Sequence, residues 1–174
     1  MGCSRQTHAF DQAISPFPYE GSAKELILAL KYQSRLSVAP FLGRLLAQTV
    51  RERLGSDPAD AIVPVPLHPT RLRERTFNQA LVLAQEVGRH LHLPCWNRLL
   101  TRVSPTCPQA ELSRDQRRAN VRAAFQVKTD PFLRLARILL VDDVLTTGAT
   151  ADACARLLKE AGTSRVIVVT VSRD

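Results

Sequence analysis

Residues 137–171 constrain the fold of this chain more than any other part of its sequence. Two apolar runs, RILLVD at Arg137–Asp142 and VIVVTV at Val166–Val171, enclose a helical pattern over Ala149–Glu160. Strands that read as continuous apolar runs are typical of parallel sheets whose two faces are both covered by helices. Because parallel neighbours need a crossover connection, the intervening helix completes a β-α-β unit. The sequence therefore predicts an α/β protein built on this unit.

The rest of the chain continues the alternation of helices and strands. Helical patterns cover Ser22–Tyr32, Val38–Leu54 and Asn78–Leu91, and strands are expected at Asp60–Pro66, Cys95–Thr101 and Ala124–Val127. Residues 1–22 look irregular, and Ser113 with Gln116 resembles a capping box that would begin a short helix to about Val121. This order predicts a doubly wound, mainly parallel sheet over residues 60–174.

The length of 174 residues favours a single domain. Within it, residues 59–174 would form the α/β core, and residues 1–58 would form an N-terminal segment with a helical hood. No apolar run approaches the roughly 20 residues that span a bilayer, and Met1–Phe10 lacks the apolar region of a signal peptide. We therefore expect a cytoplasmic protein without membrane insertion.

Charge and cysteine usage narrow the classes of partner. A formal net charge of +8 favours nucleic acid, a nucleotide or a phosphorylated substrate as the partner, although a generically basic surface accounts for the charge equally well.

The cysteines show no C-x-x-C spacing and the histidines complete no zinc pattern, so we expect no zinc site. The four cysteines are Cys3, Cys95, Cys107 and Cys154. Cys154 falls in a helical pattern and is expected to be buried as a small apolar residue.

The strongest functional signal lies between the first apolar run and the helix. Asp142 and Asp143 stand at the predicted end of the strand, and a hydroxyl-rich turn follows: Thr146, Thr147, Gly148, Ala149 and Thr150. A helix N-terminus binds phosphate through its free N–H groups and its dipole, and a glycine lets the backbone close on the ligand. Carboxylates repel phosphate, so the two acids suit sugar hydroxyls or a hydrated Mg²⁺. A sugar phosphate satisfies both halves of the segment.

Three other classes of site fit this segment less well. Phosphorelay receiver domains also place an acidic pair after an apolar strand, but near the N-terminus, whereas Asp143 lies near the end of this sequence. A strand, turn and helix without a ligand would leave two adjacent acids uncompensated at a sheet edge. A P-loop needs Gly-Lys-Ser or Gly-Lys-Thr, which this turn lacks.

Residues 138–150 resemble the signature of type I phosphoribosyltransferases, which bind 5-phosphoribosyl pyrophosphate (PRPP). In that signature, two acidic and two apolar residues precede Thr-Thr-Gly-x-Thr, as they do here. The resemblance implies the type I phosphoribosyltransferase fold. It also implies that Asp142 and Asp143 are the catalytic acidic pair, which binds the ribose hydroxyls and accompanies Mg²⁺ through water or PRPP. Thr146–Thr150 would then hold the 5′-phosphate.

Further segments are similar to the ComF family of competence-associated phosphoribosyltransferase-like proteins. They are VPVP at 63–66, RTFNQ at 75–79, QAELSR at 109–114 with the residues that follow to Phe125, and the N-terminal PYEG and LKY at 18–21 and 30–32. Thr76 departs from the glycine that is usual in the family. Many members also begin with a four-cysteine zinc finger, whereas this sequence has only Cys3 in that region, so we expect the finger to be absent or truncated.

Two arginine-rich segments flank the predicted sugar-phosphate site. Arg71, Arg73 and Arg75 follow the first core strand, at the edge where a doubly wound sheet binds its ligand. Arg114, Arg117, Arg118 and Arg122 form a basic face of the helix predicted at 113–122, in the region where type I enzymes close a flexible loop. Either segment could contact pyrophosphate or single-stranded DNA, or form a solvated basic surface. Phe77, Trp96 and Phe125 could stack on bases, but their spacing is more typical of a core.

The resemblance implies a protein that binds PRPP with Mg²⁺ and displaces pyrophosphate from ribose C1 with an unidentified nitrogen nucleophile. ComF similarity implies a role in DNA uptake during natural transformation, with single-stranded DNA and DNA-uptake proteins as partners. Type I relatives imply a possible homodimer. Two alternatives remain open: a nucleobase-salvage phosphoribosyltransferase whose N-terminal helices hold the base, and a non-catalytic PRPP-sensing accessory that binds single-stranded DNA.

Overall fold

The computed structural model describes residues 8–32, 35–104, 124–128 and 130–174. Its strands are β1 (Gln12–Ile14), β2 (Phe17–Pro18), β3 (Ala61–Pro64), β4 (Leu100–Arg102), β5 (Phe125–Val127), β6 (Arg137–Leu145) and β7 (Arg165–Arg173). Its α-helices are α1 (Gly21–Tyr32), α2 (Ala39–Leu54), α3 (Pro69–Arg75), α4 (Gln79–Leu91) and α5 (Ala149–Glu160). Short 3₁₀ turns lie at Leu36–Val38 and Pro131–Leu133.

A parallel sheet forms the centre of the molecule, with strand order β1-β7-β6-β3 and with β2 added beside the end of β7. In the central pair, Ile138 of β6 lies opposite Val166 of β7, and Leu140 lies opposite Val168. Strands β4 and β5 form a separate antiparallel pair. The parallel pair β6–β7 and the connecting helix α5 confirm the predicted β-α-β unit and the α/β class.

Both faces of the sheet are buried, which explains the continuous apolar runs. Leu139 and Val141 of β6 face a layer made of α1, α2 and α4. Ile138 and Leu140 face the opposite layer, made of α5 and the β4–β5 pair. Full burial of one such side chain stabilises the fold by about 1.5–3 kcal/mol relative to exposure. Alternate side chains of one strand therefore enter two different cores.

The two N-terminal helices pack into the first of these layers. Leu30 of α1 and Leu46 of α2 are fully buried with Leu83 of α4. Helix α2 approaches α4 so closely at Gly43 that a Cβ there would lie 2.2 Å from the Cβ of Glu86. The helices predicted as a hood thus form part of the layer that covers the sheet.

Two strand predictions need correction. Residues 1–22 were expected to be irregular, but β1 lies within them and pairs in parallel with β7. With three residues and one buried side chain, β1 is too short to produce an alternating pattern. The strand expected over Cys95–Thr101 is wrong for most of that range, because Cys95 makes a single bridge to Ile62 and β4 begins at Leu100.

Two boundaries near the candidate site also differ from expectation. Strand β6 does not end at Asp142 but continues to Leu145, which pairs with Arg173 of β7. The arginine-rich segment after β3 is the helix α3, with Pro69 in its first turn and His68 Nδ1 accepting a hydrogen bond from the Thr70 amide at 3.3 Å. A helix of seven residues is too short for periodicity to reveal it. The helix predicted at 113–122 lies outside the described residues.

The remaining core predictions agree with the structure. Cys154 is fully buried, Phe125 is buried, and Phe77 and Trp96 pack against the two cores. Among the helices of the described ranges, none has both the length and the apolar character needed to cross a membrane.

Candidate functional site

Strand β6 carries Asp142 and Asp143 at the carboxyl edge of the sheet. Asp142 pairs with Thr170 of β7, and the Asp143 amide donates a hydrogen bond to Asp142 Oδ1 at 2.9 Å. The two carboxylates interact with different layers. Asp143 contacts helix α1, whereas the charge of Asp142 acts on Cys154 of α5. The predicted acidic pair therefore lies at the edge where a doubly wound sheet binds its ligand.

Lys31, in the last turn of α1, is the direct partner of Asp143. Its Nζ lies 3.0 Å from Asp143 Oδ2, and the two side chains are 17% and 13% exposed. Water screens such a pair less than it screens a surface pair, so the attraction is retained. Sequence reasoning did not assign Lys31 to the site, although the LKY segment at 30–32 contains it.

Asp142 holds its proton more tightly than an ordinary carboxylic acid. Burial and the neighbouring Asp143 carboxylate raise the pKa of Asp142 to about 8, although Lys31 and Arg102 act in the opposite direction. The residue keeps partial exposure, but its carboxyl group is surrounded by protein. Near neutral pH the ligand-free acidic pair therefore carries less than two full negative charges. A ligand that brings positive charge would favour full ionisation.

Arg102 of β4 is a second cation that sequence reasoning did not assign to the site. Its Cζ lies 5.3 Å from the centre of the Phe125 ring, and its residue is half-buried. Burial lowers the pKa of Arg102, the Arg71 charge lowers it further, and the Asp142 carboxylate raises it. Arg102 thus lies within electrostatic reach of both the acidic pair and α3.

The loop between β6 and α5 has the backbone geometry of a helix cap. Gly148 stands at the N-cap with φ 75°, a left-handed conformation that glycine adopts without steric cost. Thr147 Oγ1 accepts a weak hydrogen bond from the Ala149 amide at 3.4 Å. Thr146 and Thr147 are exposed, and Thr150 is half-buried. The predicted hydroxyl-rich turn therefore lies at a helix N-terminus.

The N-terminal segment lies against this loop. His8 stacks on Phe10 with ring centres 4.5 Å apart, and its Nδ1 lies 3.6 Å from Asp152 Oδ1. The Ala9 amide donates to the same Asp152 oxygen at 2.6 Å. With Thr146, Thr147 and Gly148, the two rings line a cavity of about 230 Å³. No pattern in the sequence predicts this contact.

Helix α3 brings only part of the first arginine segment toward the site. Arg75 Nη2 donates to the Tyr32 hydroxyl at 3.3 Å, and its Cζ lies 5.0 Å from the centre of that ring. Arg71 and Arg73 are exposed on the same helix. Because Tyr32 follows Lys31, the last turn of α1 contacts both the acidic pair and α3. Arg114, Arg117 and Arg118 lie outside the described residues.

The donor set at the end of β6 fits a hydrated magnesium ion that arrives with its ligand. Two adjacent carboxylates supply the hard oxygen donors that Mg²⁺ prefers. In the parts of the chain that the structure describes, no group of three or more His, Cys, Asp or Glu side chains could hold a metal ion. Mg²⁺ usually keeps several waters and binds through one or two carboxylates plus substrate oxygens, which matches this pair.

Comparison with known proteins agrees with this geometry. A family model of the phosphoribosyl transferase domain matches residues 78–174, which include the acidic pair and the loop. Competence protein F of Haemophilus influenzae is 33% identical over 178 residues, covering 98% of this chain and 76% of that protein. The chain belongs to the ComF family of phosphoribosyl transferase domain proteins.

Other ComF relatives match most of the chain. DNA utilization protein YhgH of Escherichia coli K12 is 32% identical over 169 residues, covering 95% of this chain and 74% of that protein. Competence protein ComFC of Bacillus subtilis is 29% identical over 148 residues, covering 85% of this chain and 58% of that protein.

Two solved structures share the fold. One is the allosteric regulatory enzyme of purine biosynthesis, with a TM-score of 0.56 and 20% sequence identity. That match covers 83% of this chain and 30% of the other chain. The other is glutamine PRPP amidotransferase from Bacillus subtilis, complexed with ADP and GMP; its TM-score is 0.53 at 22% identity, with 82% and 30% covered. This ComF chain thus corresponds to about a third of those proteins, and the likeness establishes the phosphoribosyltransferase fold.

Proposed function

We propose that this ComF protein binds PRPP with Mg²⁺ at the carboxyl edge of β6 and transfers the phosphoribosyl group to a nitrogen nucleophile, with release of pyrophosphate. One observation carries the proposal. The acidic pair Asp142–Asp143 lies three residues before a loop that caps a helix N-terminus. Carboxylates suit ribose hydroxyls and a cation, and the helix cap suits a phosphate, so one ribose 5-phosphate satisfies both.

Each part of the proposed site has a distinct binding role. Backbone N–H groups and hydroxyls of Thr146–Thr150 donate hydrogen bonds to the 5′-phosphate. Asp142 and Asp143 accept hydrogen bonds from the ribose hydroxyls and so fix the position of ribose C1. Asp142 and Asp143 would hold Mg²⁺ through water or PRPP oxygens, and the ion would supply positive charge that makes pyrophosphate a better leaving group.

The reaction separates charge, and the arginines fit that requirement. As the bond between ribose C1 and pyrophosphate oxygen breaks, positive charge develops on the ribose ring and negative charge on the leaving group. Arg102 acts electrostatically on Asp142, and Arg71 acts on Arg102. Arg75 contacts Tyr32, the residue after the Lys31 that pairs with Asp143. Guanidinium groups held in place before reaction stabilise the developing negative charge without reorganisation. With a cation bound, the ionised acidic pair would offset the positive charge that develops on the ribose ring.

Two measurements test the proposal and its main alternative. The first is the thermal stability of the protein with and without PRPP and Mg²⁺, where binding raises the melting temperature. The second is pyrophosphate release in the presence of a panel of nucleobases and other nitrogen nucleophiles. Stabilisation with release supports transfer, whereas stabilisation without release from any acceptor supports a PRPP-sensing accessory. No stabilisation at saturating PRPP contradicts both.

We further propose that the protein acts in DNA uptake, on the strength of its relatives' names, competence protein F and DNA utilization protein. The basic net charge of +8 suits a nucleic-acid partner. The test is complementation of a transformation-deficient deletion strain by the wild-type chain and by Asp142→Asn/Asp143→Asn. Rescue by the wild type alone ties DNA uptake to the PRPP site, and rescue by neither opposes the proposal.

A further inference from the structure

The last turn of α1 joins the two charged halves of the site. Lys31 makes an ion pair with Asp143 at 3.0 Å, and Tyr32 contacts Arg75 through both its ring and its hydroxyl. The Lys31 and Asp143 side chains are both less than one-fifth exposed. An ammonium group therefore lies next to the acidic pair.

We propose that Lys31 is a built-in counter-ion of the acidic pair, which holds Asp143 in the ligand-free protein and yields its place when a divalent cation arrives with PRPP. This inference rests on the proposed function, because that function brings the cation to Asp142 and Asp143. Lys31 is thus a positioning residue, and its position reports whether the site is occupied.

A nearby cation lowers the electrostatic cost of ionising the acidic pair. Asp142 and Asp143 are adjacent in sequence and partly buried, so their mutual repulsion is poorly screened. The Lys31 ammonium lies close enough to Asp143 to offset much of that repulsion. A divalent cation bound to the same carboxylates would supply more charge to the same oxygens. Lys31 and the cation therefore compete.

Lysine is suited to a contact that must be released. Its ammonium is a point charge on a flexible four-carbon stem with three rotatable donors, so it can leave one carboxylate without moving the helix backbone. The neighbouring Tyr32–Arg75 contact anchors the same turn from the other side. The backbone of α1 can therefore stay in place while the Lys31 side chain departs.

The proposal predicts that removing the Lys31 charge strengthens binding of a divalent cation in the absence of PRPP. The probe is Mn²⁺ alone, followed by electron paramagnetic resonance or calorimetry with the full chain. We expect Lys31→Met to bind Mn²⁺ about tenfold or more tightly than wild type, because a competing charge 3.0 Å from the carboxylate has gone. Lys31→Arg should restore weak binding. Lys24→Met, on an exposed position of the same helix, is the matched control and should match wild type.

Two further variants decide the outcome. Lys31→Met/Asp143→Asn should lose the gain in Mn²⁺ affinity, which locates the ion at the acidic pair. Lys31→Gln, which keeps a hydrogen-bond donor, replaces Lys31→Met if the latter does not fold. Unchanged Mn²⁺ affinity in the neutral Lys31 variants, or an equal gain in Lys24→Met, overturns the proposal.

The failure of this inference is distinguishable from failure of the proposed function. Mn²⁺ affinity is measured without PRPP, whereas the proposed function depends on the thermal response of wild type to PRPP and Mg²⁺. If the neutral Lys31 variants gain Mn²⁺ affinity but wild type does not respond to PRPP, the result supports Lys31 as a counter-ion and contradicts PRPP as the substrate. If wild type responds to PRPP but the Lys31 variants gain no Mn²⁺ affinity, the result supports PRPP as the substrate and contradicts the role of Lys31.

Discussion

Lys31 Nζ lies 3.0 Å from Asp143 Oδ2, so the last turn of the first helix is bonded to the carboxyl end of the central strand. The contact joins residues that are far apart in sequence and ties the N-terminal helices to the proposed PRPP site. It also divides the acidic pair into two members with different surroundings. Asp143 has a lysine partner, whereas burial and the Asp143 charge keep the pKa of Asp142 high.

The raised pKa of Asp142 predicts a specific pH dependence of stability. The pKa is about 8 in the folded protein and 3.8 in the unfolded chain, so the folded protein binds more protons between these values. The free energy of unfolding should therefore fall as pH rises from about 4 to about 8. Asp142→Asn removes this contribution, and denaturant unfolding at a series of pH values should show a flatter curve than wild type. If the stability of wild type and that of Asp142→Asn depend on pH with the same slope, the raised pKa of Asp142 is contradicted.

The close approach of α2 and α4 predicts a large effect from a small substitution. Gly43→Ala places a Cβ 2.2 Å from the Cβ of Glu86, which requires the helices to separate. We expect a loss of about 1–3 kcal/mol in the free energy of unfolding, as for other overpacked cores. Gln48→Ala, at an exposed position of the same helix, should change stability little. Equal effects of the two variants would contradict the packing account.

An acidic cluster at the opposite end of β6 predicts the reverse pH dependence. Arg137 Nη2 lies 3.0 Å from Asp57 Oδ1 and 2.8 Å from Asp60 Oδ1, and the pKa of Asp60 is lowered by its hydrogen bonds to Arg137. A lowered carboxyl pKa contributes stability above the unfolded value of 3.8 and loses it as the pH falls further. Arg137→Met should cost about 0.2–1 kcal/mol at neutral pH, because these groups are partly exposed. Denaturant unfolding in acid should show a smaller difference in the free energy of unfolding between wild type and Arg137→Met. A difference that grows in acid would contradict this account of the Arg137 ion pairs.

The second arginine segment predicts a salt-dependent interaction with nucleic acid. Arg117→Ala/Arg118→Ala should weaken binding of single-stranded DNA and reduce the slope of log affinity against log salt, because fewer counterions are released. Fluorescence anisotropy with a labelled oligonucleotide at several salt concentrations measures both quantities. An unchanged slope would assign these arginines to PRPP or to the solvated surface.

The sequence predicted the parts of the fold that depend on neighbouring residues. Strand β6, the Thr146–Thr150 turn and helix α5 are contiguous, so burial on both faces and the helix cap leave a local pattern of residue types. The proposed ligand class follows from the same segment, since the acids and the proposed phosphate-binding turn lie within nine residues.

Contacts between distant segments could not be predicted in this way. The pairing of β1 with β7 depends on three residues whose side chains show no alternation. Lys31 and Arg102 each look like ordinary basic residues at the end of an apolar stretch, and only the packing of α1 and β4 brings them to the acidic pair. Helix α3 carries capping signals at His68 and Pro69, but a short basic segment has no apolar face to identify it.

The affinity of the protein for PRPP with Mg²⁺ tests the central claim most directly, and isothermal titration calorimetry measures it. Asp57→Asn/Asp60→Asn is a matched control, because it removes two carboxylates that pair with Arg137 at the opposite end of β6. We predict that wild type and this control bind PRPP, whereas Asp142→Asn/Asp143→Asn binds about a hundredfold or more weakly, since each lost charge-assisted hydrogen bond costs about 1.5–3 kcal/mol. Equal affinity of Asp142→Asn/Asp143→Asn and wild type would contradict the assignment of the PRPP site.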